Sequence, residues 1–345
     1  MKAPKSKKRT PFYRSLLPWK GDSKRLVFYK ILSLAAVCVF LVCAVLLIHD
    51  MVLQPMLSDK DQQSIRKIYY TDTPSSASSA GQSSKAPASS TPPERDAQGR
   101  LVKFVKLQKV NSDIVGWIKI PNTIIDLPVL QASMSQPDFY LTHDYNKNYS
   151  FYGSIYADCH APVAEEKSRS LILYGHSLIS GRMFTQLKNY KELDFYKTAP
   201  AFTFDTIDYQ SQWKVISVFL TNTLPEQGEP FNYMRTAFKN DSDYLNFVYQ
   251  LRIRSIYNTG VSFNADDKIV LLSTCSYEFN DFREVVVARR VRAGESAMVE
   301  TAHAAYNNKV LYPDCWYKKN GGTKPIWPST YEQAAKEKVL PWDEK

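Results

Sequence analysis

Three side chains in this sequence have the chemistry of a nucleophile, a proton donor and an anion-stabilising group. Cys275 closes the apolar segment IVLLSTC, and Arg283 begins the next apolar run, REVVVARRV, eight positions later. His176 follows a third apolar run, SLILYG, in the same strand-end position. A cysteine attacks as its thiolate, which a neighbouring cation favours, and a histidine can also deliver a proton to a leaving group. The three residue types together are typical of nucleophilic catalysis by cysteine.

The spacing of Cys275 and Arg283 predicts that both lie at one end of a hairpin. Two apolar strands joined by residues 276–282 place the thiol and the guanidinium side by side, and alternation puts Arg283 on one face with Val285 and Val287. A lone strand-end cysteine is commonly just a small buried apolar residue. The arginine in register and the strand-end histidine together favour an active site.

The remaining cysteines do not predict a disulfide framework. There are five cysteines and no CxxC motif, so a zinc ribbon is not indicated. Cys159 is followed directly by His160, but successive side chains on a strand point to opposite faces. We therefore do not expect the imidazole of His160 beside the thiol of Cys159, and do not interpret them as a catalytic pair. Cys315 is expected to be packed rather than reactive.

The net charge of +10 is concentrated at the N-terminus. Residues 1–30 contain ten Lys or Arg residues and one acid, which leaves +1 for residues 31–345. A basic main domain that binds nucleic acid is therefore not indicated.

An apolar segment follows the basic tail. Residues 31–48 carry no charge, and the apolar stretch extends back to residue 27 across Lys30. About 20 apolar residues span a membrane. The alternative is a cleaved signal peptide, but the preceding tail is long and no A-x-A site is evident. The pattern favours one anchor with a cytoplasmic N-terminus and the rest of the chain outside the cell.

A segment rich in Ser, Pro and Ala separates this anchor from the globular part. Residues 71–100 contain no Leu, Ile, Val or aromatic residue and cannot bury enough surface to fold. The predicted organisation is a basic cytoplasmic tail (1–26), a transmembrane anchor (27–49), a juxtamembrane helix (50–70), a disordered linker (71–100), a catalytic domain (101–292) and a C-terminal extension packed on it (293–345).

The globular part is predicted to be mainly β. Eight strand-like runs are bounded by Pro, Gly, Asn and Asp, with few helical segments between them. They cover residues 116–120, 124–131, 153–158, 170–175, 201–206, 213–221, 268–274 and 284–291. Residues 101–111, 183–190 and 242–256 have helical patterns. Eight strands with few crossovers indicate a closed or nearly closed β-barrel.

The motifs along residues 101–292 resemble the class B sortases. LSTC is followed by an arginine and a VVVA strand, and ILYGHS lies about a hundred residues upstream. VNSDIVGWIKIPNTIIDLPVLQ, DFYLTHDY and GSIYAD are also similar to that family, in the same order. The resemblance implies a sortase-like eight-stranded β-barrel with peripheral helices. It also implies a membrane-anchored cysteine transpeptidase of Gram-positive bacteria, without cofactor or metal.

The family's functional residues transfer to this sequence by motif. The resemblance implies that Cys275 is the nucleophile, His176 the general acid, and Arg283 the group that steadies the substrate carbonyl. Implied substrate-binding positions are Ser273, Thr274, Leu141, Tyr233 and Met234. The implied partners are secreted proteins with a sorting motif, and an acceptor amine on a cell-wall precursor or a pilin. Two departures, Pro137 and Tyr277, leave the sorting motif open.

Two other functions fit parts of the sequence. An L,D-transpeptidase is also an exported cysteine enzyme, but it would place histidine and cysteine close together ahead of an arginine, whereas His176 is 99 positions before Cys275. A membrane-tethered β-barrel that only binds would give Cys275 no special reactivity.

Overall fold

The computed structural model describes residues 16–71, 93–163 and 167–342. The first part of the predicted basic tail and most of the predicted linker therefore lie outside the described residues. The chain divides into two compact units, Met1–Ser64 and Ile65–Lys345. The domain boundaries drawn from the sequence stay predictions.

The first unit contains the apolar helix α1, Lys24–Ile48. The side chain of Ser23 caps it by accepting a hydrogen bond from the Leu26 amide at 3.2 Å, which satisfies one of the free N–H groups of the first turn. Its 25 residues extend about 38 Å at 1.5 Å per residue, more than the hydrocarbon thickness of a bilayer. By length and composition α1 is able to cross a membrane. A π-helical turn, His49–Leu53, and helix α2, Gln54–Tyr70, follow.

The second unit is built from ten described strands and several short helices. The strands are β1 (Ile114–Lys119), β2 (Asp126–Gln131), β3 (Ile155–Ala157), β4 (Ser170–Tyr174), β5 (Ala201–Thr206), β6 (Gln212–Thr221), β7 (Tyr257–Asn258), β8 (Ile269–Ser276), β9 (Phe282–Arg290) and β10 (Ala305–Tyr306). The α-helices are α3 (Val102–Val110), α4 (Leu193–Thr198), α5 (Asp241–Arg252), α6 (Asp314–Asn320) and α7 (Tyr331–Lys336). Where the structure describes them in full, 3-10 helices cover Phe139–Leu141, Phe184–Lys191 and Pro225–Gln227.

Eight of the strands close into a barrel in the order β1-β2-β3-β4-β8-β9-β6-β5. Each corresponds to one of the eight predicted runs, so the predicted barrel is confirmed. The neighbours β4 and β8 are parallel, and β8 and β9 are antiparallel. Because of this arrangement, the C-terminal ends of β4 and β8 and the N-terminal end of β9 lie at the same edge of the barrel.

Strand alternation divides the side chains of β8 and β9 between two cores. Val270 and Leu272 face the barrel interior with Val286, whereas Leu271 faces outward with Val285. Helix α5 covers this outer face with residues at i, i+3, i+4 and i+7 spacing, Tyr244, Phe247, Val248 and Leu251. The same alternation places Ser273, Cys275 and Arg283 on the outer face beyond the end of the helix-covered core.

A third core lies at the N-terminal side of the second unit. Ile65 and Tyr69 pack with Leu101, Phe104 and Trp117, and the rings of Tyr69 and Trp117 stack at 4.2 Å. The Tyr69 hydroxyl donates to Asp205 at 2.6 Å. Residues 65–70 are thus part of the barrel unit and lie upstream of the predicted linker.

The C-terminal residues pack on helix α5. Trp342 is buried beside Tyr249 and Ile253, and the Arg252 guanidinium lies 4.9 Å from the centroid of the Trp342 ring. Trp327 and Tyr331 lie at the edge of the same cluster.

Candidate active site

Cys275 and Arg283 are directly paired across the β8–β9 ladder. Both side chains are half-buried on the outer face of the barrel. Arg283 donates from one guanidinium nitrogen to the Phe282 carbonyl at 3.0 Å, and among the described residues it has no carboxylate partner. The remaining donors of its planar fork are therefore available to an oxygen atom beside the thiol.

His176 reaches the same place from the parallel strand β4. Tyr174 pairs with Ser273, the Gly175 amide donates to the Ser273 carbonyl at 3.3 Å, and the Thr274 hydroxyl donates to the Gly175 carbonyl at 2.7 Å. These bonds hold the backbone before His176 against the end of β8. A Cβ atom on Gly175 would lie 2.8 Å from the Phe184 ring, so this turn requires glycine.

The imidazole of His176 is oriented by a backbone carbonyl. Its Nε2 lies 2.8 Å from the carbonyl oxygen of Leu141. Since a carbonyl can only accept, Nε2 carries a hydrogen in this arrangement. The contact fixes the tilt of the ring and joins the end of the Phe139–Leu141 helix to the strand ends.

All the catalytic and substrate-binding residues predicted from the sequence line one cavity of about 530 Å³. Its lining includes Cys275, His176, Arg283, Ser273, Thr274, Leu141, Tyr233 and Met234. These residues come from five separate stretches of the chain and meet only in the folded barrel. Their individual roles stay predictions.

The segment after β6 forms one wall of the cavity. The hydroxyls of Tyr233 and Ser273 are 2.9 Å apart, so this buried tyrosine is attached to β8 two residues before the thiol. Burial raises the pKa of the Tyr233 hydroxyl, while Arg283 opposes the rise and Cys275 adds to it. Met234 is 55% exposed and Leu141 is 36% exposed, which gives the cavity two apolar contacts open to a ligand.

Two tyrosines that line the cavity were not predicted from the sequence. Tyr156 and Tyr174 face each other on β3 and β4, in register with Ser273 on β8, with ring centroids 5.4 Å apart. Burial raises the pKa of both hydroxyls, so they stay protonated and able to donate. Alternation within the predicted strands, combined with the strand order, would have placed them next to Ser273.

The expectation that the His160 imidazole does not lie beside the Cys159 thiol was wrong, whereas the interpretation that the two are not a catalytic pair stays a prediction. The Sγ atom of Cys159 lies 3.7 Å from Nδ1 of His160. The two residues belong to a turn that follows the end of β3 at Ala157, so the alternation of a strand does not apply to them. Burial and the Asp158 carboxylate raise the pKa of the Cys159 thiol, which disfavours the thiolate. Both residues line the cavity that contains Cys275.

Comparison with known proteins places this barrel in a family. No protein-family model matches the chain. It is 34% identical over 192 residues to sortase B of Staphylococcus aureus, which covers 55% of this chain and 75% of that protein. It is 33% identical over 172 residues to sortase B of Listeria monocytogenes, which covers 50% of this chain and 66% of that protein. A solved complex of Staphylococcus aureus sortase B with its substrate is 28% identical, with a TM-score of 0.56, covering 72% of this chain and 100% of that one. Both the sequence match and the shared barrel extend over most of these relatives, and the chain belongs to the class B sortases.

Proposed function

We propose that the chain is a cysteine transpeptidase that cleaves a sorting motif near the C-terminus of secreted proteins and transfers the acyl group to an amine. The observation that carries the proposal is the pairing of Cys275 with Arg283 across the β8–β9 ladder, with His176 at the adjoining end of β4. A thiol, a proton donor and a fixed cation within one cavity are the groups that acyl transfer through a thioester requires.

The first step forms a bond between sulfur and carbon. The Cys275 thiolate attacks the carbonyl carbon of the scissile peptide bond, and the carbonyl electrons move to oxygen. Arg283 stabilises this oxyanion, an interaction worth several kcal/mol when the donor is already in position. The carbon–nitrogen bond then breaks as the His176 imidazolium protonates the leaving amine, and a thioester remains on Cys275.

In the second step, His176 acts as a base instead of an acid. An acceptor amine attacks the thioester carbon, His176 takes its proton, and the carbon–sulfur bond breaks to release the thiolate. Water in place of the amine would give hydrolysis, which is the endopeptidase activity of the same site. The chemistry needs no metal, because charge is handled by Arg283 and protons by His176.

The cavity beside Cys275 supports a peptide as the first substrate. Ser273, Thr274 and Tyr233 offer polar groups along one wall, and Leu141 and Met234 offer apolar contact. The Staphylococcus aureus relative has been solved with its substrate, which supports the assignment of a sorting-motif peptide to this groove. The acceptor we propose is an amine on a peptidoglycan precursor or a pilin.

Helix α1 supports a fixed location at the cell membrane, and the bacterium we propose is Gram-positive. Lys and Arg residues ahead of an apolar helix favour a cytoplasmic N-terminus, which leaves the barrel outside the membrane. An uncleaved signal-anchor with one span keeps the thiol enzyme close to the emerging secreted protein and to the wall precursor.

Transfer to a small amine tests the proposed reaction class. We expect the full-length protein in detergent micelles to cleave members of a quenched pentapeptide library, and to form the corresponding hydroxamates when hydroxylamine is the acceptor. The Cys275→Ala variant should give neither product. Cleavage at the wild-type rate by that variant would contradict the proposed function.

A further inference from the structure

The turn after β3 brings three metal-binding side chains together. A carboxylate oxygen of Asp158, the Sγ atom of Cys159 and a ring nitrogen of His160 all lie within 4.8 Å of one another. The Sγ to Nδ1 distance is 3.7 Å, and Nδ1 lies 2.9 Å from Oδ1 of Asp158. The transpeptidation chemistry uses none of these residues.

The neighbouring strands hold this turn in place. The Asp158 amide donates to the Ile172 carbonyl at 2.9 Å, and Gln131 donates to the Asp158 carbonyl at 2.7 Å. The Tyr174 hydroxyl donates to Oδ2 of Asp158 at 2.9 Å, which orients the carboxylate and leaves its Oδ1 toward His160. Such outer contacts commonly orient the ligands of a metal site.

The geometry points to a site for a divalent transition metal, and we propose that Asp158, Cys159 and His160 bind Zn²⁺ at one end of the active-site cavity. With bond lengths of about 2.3 Å to sulfur and about 2.0–2.1 Å to nitrogen and oxygen, a tetrahedral ion separates sulfur from nitrogen by about 3.5 Å and nitrogen from oxygen by about 3.3 Å. The first pair already stands at 3.7 Å, and the second needs to open by a few tenths of an ångström from 2.9 Å.

The ligand types select the metal. A thiolate with an imidazole suits Zn²⁺ and other late first-row ions, whereas Ca²⁺ and Mg²⁺ prefer oxygen ligands. One thiolate and one carboxylate balance the two charges of the ion. Binding displaces the proton of the Cys159 thiol and requires the His160 tautomer with its hydrogen on Nε2, which leaves Nδ1 free to coordinate. Three protein ligands leave the fourth position to water or to a ligand in the cavity.

Because of the position of this turn, a bound metal ion would affect peptide cleavage by the enzyme. Asp158, Cys159 and His160 line the same cavity as Cys275. An ion and its bound water at this end occupy part of the space that a peptide needs, so zinc slows thioester formation. This consequence rests on the proposed function, whereas metal binding itself does not.

Cobalt spectroscopy of the full-length protein in detergent micelles tests the binding site. Co²⁺ added to the wild type should give a thiolate-to-metal charge-transfer band and intense visible bands of a tetrahedral ion, and Zn²⁺ should remove them. Cys159→Ser should abolish the charge-transfer band, and His160→Ala should weaken binding by at least about 10-fold. Cys315→Ser and His303→Ala are matched controls elsewhere in the chain, and both should bind as the wild type does.

Three outcomes overturn the site. They are a wild type that gives no band at millimolar Co²⁺, a band that persists in Cys159→Ser, and a band that disappears in Cys275→Ala, which would assign the metal to the nucleophile. In the kinetic test, Zn²⁺ should slow thioester formation in the wild type and not in Cys159→Ser. Equal inhibition of both proteins contradicts the blocking effect. A protein that forms no thioester without metal contradicts the proposed function, while the cobalt result still decides the metal site.

Discussion

The same cavity contains two cysteines in opposite electrostatic settings. Cys275 lies on a barrel strand with Arg283 directly opposite, whereas Cys159 lies in a turn next to Asp158. Each has a histidine in the same cavity, His176 for the first and His160 for the second. A thiol and an imidazole in one cavity therefore do not by themselves define a catalytic pair, and we propose that the charged group beside each thiol distinguishes the two.

A cation and a carboxylate have opposite effects on a neighbouring thiol. Burial and the Asp158 carboxylate raise the pKa of the Cys159 thiol, so attack by its thiolate is disfavoured at neutral pH. At the other end, Arg283 presents positive charge beside the Cys275 thiol, where the proposed oxyanion would form. We therefore propose acyl transfer at one end of the cavity and metal binding at the other.

The largest expected effect separates the two cysteines. Cys275→Ala should lower peptide cleavage by at least about 1,000-fold, because the nucleophile is lost. Cys159→Ala removes a thiol from the same cavity and should keep the metal-free rate within about twofold, because the proposed reaction does not use this thiol. The measurement is initial-rate kinetics of both variants with a cleaved peptide in the presence of a chelator. Comparable losses of cleavage rate in the two variants would show that the two cysteines do not differ in their contribution to the reaction.

A smaller loss of kcat/KM is expected when Arg283 is replaced by a residue that keeps its positive charge. Arg283→Lys retains the cation but loses the planar fork that faces the oxyanion, and we expect kcat/KM to fall by roughly 100-fold. Arg290→Lys, at the far end of the same strand, is the matched control and should behave as the wild type. Steady-state kinetics with circular dichroism to verify folding decide the result. Wild-type turnover of Arg283→Lys would mean that the guanidinium of Arg283 lies at a strand end without stabilising the oxyanion.

A further, smaller effect is expected at the wall of the cavity. Tyr233→Phe removes the hydroxyl that contacts Ser273 at 2.9 Å, an interaction worth about 1 kcal/mol, so the peptide KM should rise by about fivefold with kcat little changed. Tyr249→Phe loses a hydroxyl bonded to the Pro328 carbonyl far from the cavity and should leave both constants unchanged. A fall in kcat without a change in KM would assign Tyr233 to the chemical step instead.

The residue after Arg283 is expected to affect stability rather than rate. Glu284 faces the barrel interior, its Oε1 has no hydrogen-bond partner among the described residues, and burial raises its pKa from 4.5 to about 7, opposed by Lys191 and Lys188 and reinforced by Glu278. A raised carboxyl pKa means that the native state holds the proton more tightly than the unfolded state. The stability from this proton is complete below pH 4.5 and is lost as pH rises through 7, about 3 kcal/mol in all.

Replacing this carboxyl by an amide should remove that pH dependence. Glu284→Gln should melt several degrees above the wild type at pH 8, with the difference shrinking at pH 5, while cleavage rates stay similar. Glu226→Gln changes an exposed glutamate and should not alter the melting profile. Parallel melting curves for Glu284→Gln and wild type across this pH range would show that Glu284 is not a buried, protonated acid.

Much of the fold could be predicted because apolar runs identify buried strands. The runs that contain Leu171, Val270 and Val286 alternate between two cores, and the residues at their ends, His176, Cys275 and Arg283, meet because neighbouring strands end at one edge. The pattern of apolar runs in the sequence was therefore enough to locate these strand-end residues.

The rest depends on long-range pairing and on turns. Tyr156 and Tyr174 look like ordinary strand residues until the strand order places them beside Ser273. The contact between Cys159 and His160 was missed because strand alternation was applied to a turn, where backbone geometry and not alternation sets side-chain direction. The packing of Tyr69 on Trp117 spans the predicted linker and has no local signal.

The most direct test of the central claim is to trap the acyl-enzyme. Full-length protein is mixed with a cleaved peptide in the absence of any added amine, quenched in acid, digested and analysed by mass spectrometry. We predict an adduct with the mass of the acyl fragment on Cys275, absent in Cys275→Ala and retained in Cys159→Ala. An adduct on Cys159 or Cys315, or peptide cleavage at full rate by Cys275→Ala, would contradict the assignment of Cys275 as the nucleophile.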